Sequence, residues 1–151
     1  MTRSRPDPTH IVCPHCAAVN RVPAARGPAA ARCGACHQPL FDGHPAAVDA
    51  PTLEKHLQGN DIPVLVDIWA PWCGPCRAMA PAFERAAAML EPEIRLLKLN
   101  ADDAPELTAR LGVQGIPALI LFDHGQVAGQ IAGAMDAARI VAFARGHAPQ
   151  S

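Results

Sequence analysis

Alternating apolar and polar runs divide the second part of the chain into strands and helices. The mostly apolar run Val64–Trp69 predicts a buried strand, and residues 94–99 predict a second one. Apolar side chains at helical spacing from Met79 to Leu90 predict a helix between these strands, which makes a right-handed parallel unit. Two further apolar runs, 118–122 and 126–131, are separated by a short turn and predict a hairpin.

Weaker signals complete the order of elements. Apolar spacing predicts a helix over 52–58, in which His56 is expected to be partly exposed. Another helix is expected to start around Asp102 to Pro105, and Asp136 is expected to cap the last helix. Together the elements predict an α/β fold with a mixed central sheet and helices on both faces.

The first part of the chain carries two cysteine pairs and little to bury. The pairs are separated by sixteen residues, a spacing typical of four-thiolate zinc sites. So small a module needs a staple, which one structural Zn²⁺ ion would supply. We therefore predict an N-terminal zinc-binding module over 1–44 and an α/β domain over 45–151. The expected ligands are Cys13, Cys16, Cys33 and Cys36.

Three other interpretations of the first module remain open. Cys13 and Cys16 could form a second redox dithiol, although the residues that follow give little support for a helix. Histidines could share in the ligation, or the module could be a ribbon that binds nucleic acid. A ribbon that binds nucleic acid would have only one aromatic residue for base stacking, Phe41. The candidate histidines are His10, His15, His37 and His44.

A third cysteine pair, Cys73-Gly74-Pro75-Cys76, stands where the first strand gives way to the helix. Unpaired amide groups and the helix dipole at that position favour a thiolate at Cys73. Cys76 is one turn further on the same face, close enough to form a disulfide. The pair could instead be half of a metal site, but the strand-to-helix setting favours a redox-active disulfide.

Composition narrows the function classes. The net charge of −1 gives no general attraction to nucleic acid or to a membrane surface. No apolar run reaches membrane-spanning length and no secretion signal is visible, so a cytoplasmic protein is expected. In a reducing compartment, six cysteines indicate metal and redox chemistry. No dinucleotide-binding fingerprint is present, so no bound organic cofactor is expected.

The stretch from Val66 to Arg77, Val-Asp-Ile-Trp-Ala-Pro-Trp-Cys-Gly-Pro-Cys-Arg, resembles the active site of the thioredoxin family. Further matches are Gly115-Ile116-Pro117, Leu121–Gly125 and Gly133-Ala134, so the resemblance covers residues 48–144. With the N-terminal cysteines included, the chain is similar to the bacterial thioredoxins that carry a zinc domain. The resemblance implies a thioredoxin fold preceded by a small zinc-ribbon-like module.

The resemblance also implies a function, that of a general protein-disulfide reductase. Cys73 would attack the substrate disulfide, and Cys76 would resolve the mixed disulfide. Asp67 matches the buried acid of the family, whose raised pKa suits proton exchange with Cys76, and Lys98 matches the lysine near it.

Substrate contacts and partners follow from the same resemblance. A cis peptide bond is implied before Pro117, with the Ile116 backbone offered to an extended substrate. The implied docking patch comprises Trp72, Gly74, Pro75, Ile116, Pro117 and Gly133. NADPH-dependent thioredoxin reductase is the implied electron donor, oxidised proteins are the substrates, and a monomer is expected. The alternatives are a redox-regulated binding module and a disulfide isomerase or oxidase; the Gly-Pro dipeptide argues against the latter.

Overall fold

The computed structural model describes residues 6–149 of the 151-residue chain. Seven strands and four helices are formed within that range, with short 3₁₀ helices at Pro28–Ala30 and Ala101–Asp103. In chain order they are β1 (Thr9–Val12), β2 (Val19–Val22), β3 (Ala46–Val48), α1 (Ala50–Gly59), β4 (Val64–Trp69), α2 (Gly74–Leu90), β5 (Arg95–Asn100), α3 (Pro105–Arg110), β6 (Ala118–Asp123), β7 (Gln126–Ala132) and α4 (Ala137–His147).

Five strands form one mixed sheet in the order β3-β5-β4-β6-β7. β3, β5 and β4 run parallel, whereas β6 and β7 are antiparallel to their neighbours. Alternate residues of β4 point to opposite faces: Leu65 packs with α2 and α4, and Val66 packs with α1 and α3. The predicted mixed sheet with helices on both faces is confirmed.

The structure differs from the sequence prediction in three local features. β3 lies in a stretch that reads from sequence as a domain boundary, yet Ala46–Val48 pairs in parallel with β5. Asp102 belongs to a 3₁₀ helix, and α3 begins only at Pro105. His56, expected to be partly exposed, is fully buried because the N-terminal module covers this end of α1.

The N-terminal module, formed by the described residues that precede β3, is a small ribbon. β1 and β2 form an antiparallel hairpin, with Val12 paired to Val19. Ala17 and His37, each directly after a cysteine pair, have φ values of 64° and 67°, and these left-handed residues complete the two tight turns. The ribbon core includes one residue of the α/β domain, Ile62. The ribbon therefore packs against the domain that follows it.

The ribbon and the third cysteine pair lie at opposite ends of the sheet. β4 and β5 run in parallel register from Val64–Arg95 to Trp69–Asn100. The ribbon contacts Arg95, whereas Cys73 follows the far end of β4. Five residue steps along a parallel strand span about 16 Å. The two cysteine sites are therefore separated by the length of the sheet.

None of the helices in residues 6–149 combines the length and the apolar character that a membrane crossing requires.

Candidate active site and metal centre

The third cysteine pair forms a disulfide at the start of α2. Cys73 is the N-cap of the helix, and its sulfur accepts a hydrogen bond from the backbone amide of Cys76 at 3.2 Å. The Cα atoms of the two cysteines are 5.3 Å apart, and Pro75 occupies the first turn. On reduction, the same amide and the helix dipole would stabilise negative charge on the Cys73 sulfur.

Exposed residues frame one side of the disulfide. Trp72 is 69% exposed, and Gly74 and Pro75 are also exposed. The indole N–H of Trp72 donates to both carboxylate oxygens of Asp102, at 3.2 and 3.1 Å. Sequence reasoning missed Asp102 as a partner of Trp72. The sequence signal for this contact is the predicted pair of parallel strands, because β4 and β5 end at the same edge of the sheet and Trp72 and Asp102 follow those ends.

The loop before β6 forms the other side. The Ile116–Pro117 peptide bond is cis, as the resemblance implied. The Cys73 sulfur lies 3.8 Å from the Ile116 carbonyl oxygen, and Ile116 packs against the disulfide. The amide of Gly133 donates to the Pro117 carbonyl at 2.8 Å, which ties the end of β7 to this loop. Backbone groups therefore lie beside the disulfide, where an extended peptide could reach them.

Asp67 is a buried carboxyl group in the middle of β4. It is 1% exposed, and neither side-chain oxygen has a hydrogen-bond partner among the described residues. Burial raises the pKa of Asp67 to about 7, and the ammonium of Lys98, its register neighbour on β5, only partly offsets this effect. The Lys98 ammonium also lies 4.8 Å from the centre of the Trp69 ring. Asp67 can therefore exchange a proton near neutral pH.

The four N-terminal cysteines converge on one point. Their sulfur atoms all lie within 4.8 Å of one another. The close pairs join the two turns: Cys13 to Cys36 and Cys16 to Cys33, each at 3.6 Å. Four sulfurs at the corners of a tetrahedron around Zn²⁺ would be about 3.8 Å apart, given Zn–S bonds of about 2.3 Å. The arrangement fits a tetrahedral four-thiolate zinc centre.

Amide groups around the cluster favour thiolates. The backbone amides of His15 and Ala35 lie 3.3 and 3.4 Å from the sulfurs of Cys13 and Cys33. The Cys36 amide, followed by Asn20 and Ala35, lowers the pKa of Cys33 to about 6 despite burial, whereas burial raises that of Cys13 to about 12. Zinc binding requires all four sulfurs as thiolates, and the ion would offset the cost of burying that charge.

The histidines considered as ligands lie elsewhere. His10 contacts the carboxylate of Asp61 at 3.0 Å, and His44 contacts Glu84 at 2.7 Å. Among residues 6–149, the four cysteines are the one group of ligand atoms close enough to hold a metal ion. This geometry favours ligation by cysteine alone.

Both parts of the chain match families of known proteins. Residues 45–146 match the family model described as Thioredoxin, and residues 12–38 match the model described as Thioredoxin 2, N-terminal. Thioredoxin C-3 of Corynebacterium nephridii is 37% identical over 125 residues, which cover 83% of this chain and 86% of that protein. Thioredoxin 1 of Nostoc sp. is 40% identical over 90 residues, 60% of this chain and 84% of that protein.

A solved structure gives the same result. A mutant thioredoxin from Halobacterium salinarum aligns with a TM-score of 0.65 at 27% identity, and the alignment covers 74% of this chain and 96% of that one. These three relatives are all named as thioredoxins. None of these comparisons favours a binding module, an isomerase or an oxidase.

Proposed function

The chain belongs to the thioredoxin family and acts as a protein-disulfide reductase, and we propose a specific role for each residue of its site. In the reduced protein, the Cys73 thiolate attacks one sulfur of a substrate disulfide. A mixed disulfide forms, and the first substrate sulfur leaves as a thiolate that takes a proton from solvent. The observation that carries this assignment is the Cys73 sulfur at the helix N-terminus, beside the Ile116 carbonyl.

Cys76 completes the transfer of two electrons. Its thiolate attacks the Cys73 sulfur, the second substrate thiolate is released, and the Cys73–Cys76 disulfide remains. Cys76 is 2% exposed, and burial in apolar surroundings disfavours the thiolate it needs. We assign Asp67 as the group that accepts the Cys76 proton, and its pKa of about 7 suits that exchange near neutral pH.

Substrates dock on the surface around the disulfide. In this proposal an extended segment of the oxidised protein pairs with the backbone of Ile116, a contact that tolerates many side chains. Trp72, held by Asp102, supplies an exposed apolar face on the other side. The remaining members of the patch are Gly74, Pro75, Pro117 and Gly133.

The N-terminal cysteines hold a structural zinc ion in this proposal. Cys13, Cys16, Cys33 and Cys36 would bind Zn²⁺ as four thiolates, and the ion would staple a ribbon of few core residues. The zinc ribbon would extend over residues 1–44 and the reductase domain over 45–151. The ion would serve folding and not the redox reaction, because the two sites lie at opposite ends of the sheet.

The oxidised protein needs an electron donor. Thioredoxin dithiols have reduction potentials of about −270 mV, so a stronger reductant must restore the dithiol. We propose NADPH-dependent thioredoxin reductase as the donor, oxidised proteins as the acceptors, and a monomer as the working form. A cytoplasmic location suits four cysteines that are not in disulfides.

Insulin reduction with NADPH and thioredoxin reductase tests these roles. We expect Cys73→Ser to abolish turnover, because no attacking thiolate remains. We expect Cys76→Ser to accumulate a mixed disulfide with the substrate, visible as an adduct by mass spectrometry under non-reducing conditions. Full turnover by the Cys73→Ser protein would refute the assignment of the attacking residue.

A further inference from the structure

One buried arginine of the reductase domain reaches into the ribbon. Arg95 begins β5 and is 1% exposed. Its Nη2 atom donates to the carbonyl oxygens of Val12, at 3.2 Å, and of Leu40, at 2.8 Å. Its Nη1 atom donates to the carboxylate of Glu91 at 3.2 Å, and the guanidinium carbon lies 4.2 Å from the centre of the Phe41 ring. Most of the contacts of this charge come from the ribbon.

The two carbonyl groups belong to the two segments that carry the cysteine pairs. Val12 directly precedes Cys13, and Leu40 lies four residues after Cys36. The Leu40 amide also donates to the Ala31 carbonyl at 3.0 Å, which ties this segment to the chain leading into the second pair. A single guanidinium group therefore bridges the two segments that carry the cysteine pairs.

Asn60 holds Val12 from the other side. The Val12 amide donates to Asn60 Oδ1 at 2.8 Å, so the Asn60 amide nitrogen faces His56 and donates to its Nδ1 at 3.0 Å. Nδ1 then acts as an acceptor and the ring stays neutral, in agreement with burial lowering the pKa of His56 to about 3. Both backbone groups of the residue before Cys13 are thus bound to the reductase domain.

Charge adds to this geometry. Four thiolates outweigh one Zn²⁺ ion, so a bound zinc centre would carry net negative charge. Arg95 is bonded to the residue directly before Cys13, and the attraction between its charge and such a centre would be weakly screened in the interior. A positive charge fixed beside the centre would stabilise the metal-bound form.

We propose that Arg95 is a positioning residue for the zinc centre: it holds both cysteine segments in place and couples metal binding to the stability of the reductase domain. The inference rests on the zinc site proposed above. Groups around metal ligands commonly change metal affinity by 10- to 100-fold when they are replaced. Coupling is reciprocal, so the ion that depends on Arg95 also stabilises the part of the sheet where Arg95 lies.

Competition for zinc with a chromophoric chelator tests the proposal on the full chain. The main variant is Glu91→Leu with Arg95→Met, which removes both members of the buried ion pair and leaves no orphaned charge. The matched control is Glu106→Leu with Arg110→Met, the same substitutions at the same spacing, at exposed positions of α3. Arg95→Lys is a third variant, which keeps the charge but not the planar group that reaches both carbonyls.

We expect the main variant to bind zinc at least about tenfold more weakly than the parent protein, a difference of about 1.4 kcal/mol. Arg95→Lys is expected to lie in between, and the control is expected to match the parent. Zinc removal is expected to lower the thermal midpoint of the parent by several degrees and that of the main variant by less. Insulin reduction by each variant checks that the reductase domain has folded.

Two failures are distinguishable. If the parent protein retains zinc no better than a Cys13→Ser variant, the zinc site itself is wrong. If the parent holds zinc tightly but Arg95→Lys and the main variant hold it equally well, the role of Arg95 is overturned and the zinc site stands. Should the main variant not fold, Arg95→Lys decides between these results.

Discussion

Replacing the buried acid Asp67 by Asn should stabilise the oxidised protein in a pH-dependent way. Asn has nearly the same shape but cannot ionise. The carboxyl group of Asp67 has no hydrogen-bond partner among the described residues, and its pKa is raised from 3.8 to about 7 by burial. Ionisation therefore costs much more in the folded protein than in the unfolded chain.

The size and sign follow from linkage between protonation and folding. Below pH 4 the carboxyl group is protonated in both states, so the parent and Asp67→Asn proteins should differ little. Between pH 4 and 7 only the unfolded state loses the proton, and the parent loses about 1.4 kcal/mol of stability per pH unit. The shift of about three units then amounts to about 4 kcal/mol at pH 7 and above. That is a large share of a typical unfolding free energy of about 5–15 kcal/mol.

Urea unfolding of both proteins in the disulfide form, at pH 4.5, 6 and 8, measures this difference. The gain from Asp67→Asn should grow steadily across the series, whereas Asp103→Asn, at an exposed position, should give no such trend. Insulin reduction by Asp67→Asn should be slower, because Cys76 loses its proton acceptor. A stability difference that stays constant from pH 4.5 to 8 would refute the argument from burial.

Two further predictions concern packing and substrate docking. Gly59→Ala should destabilise the protein by about 1–3 kcal/mol in urea unfolding, because its Cβ would lie 2.7 Å from a methyl group of Val12. Gly146→Ala, in open space on α4, should instead stabilise the protein by about 0.5–1 kcal/mol. If the two substitutions changed the unfolding free energy equally, the tight contact at Gly59 would be contradicted. Asp102→Ala should raise the KM for insulin several-fold at unchanged unfolding free energy, since it frees the exposed Trp72 ring; an unchanged KM would exclude that role.

Much of the fold could be predicted from sequence because its signals are local. Short-range periodicity of apolar residues predicts the strand β4, the helix α2 and the hairpin of β6 and β7. The spacing of the cysteine pairs and the position of Cys73 between strand and helix indicated the chemistry in the same way. β3 was missed because three residues are too few for a period to show.

Three features could be seen only in the tertiary structure: the burial of His56, the hydrogen-bond partner of Trp72 and the surroundings of Arg95. Arg95 begins a strand like any exposed arginine, yet its acceptor Val12 is 83 residues away in the chain. A local sequence pattern cannot predict such a contact, because the environment of a side chain depends on the distant segments that pack over it. The sequence by itself therefore determined the elements and the reactive cysteines. Only the packing of the ribbon against the sheet decided which polar groups are removed from water, and hence what they can do.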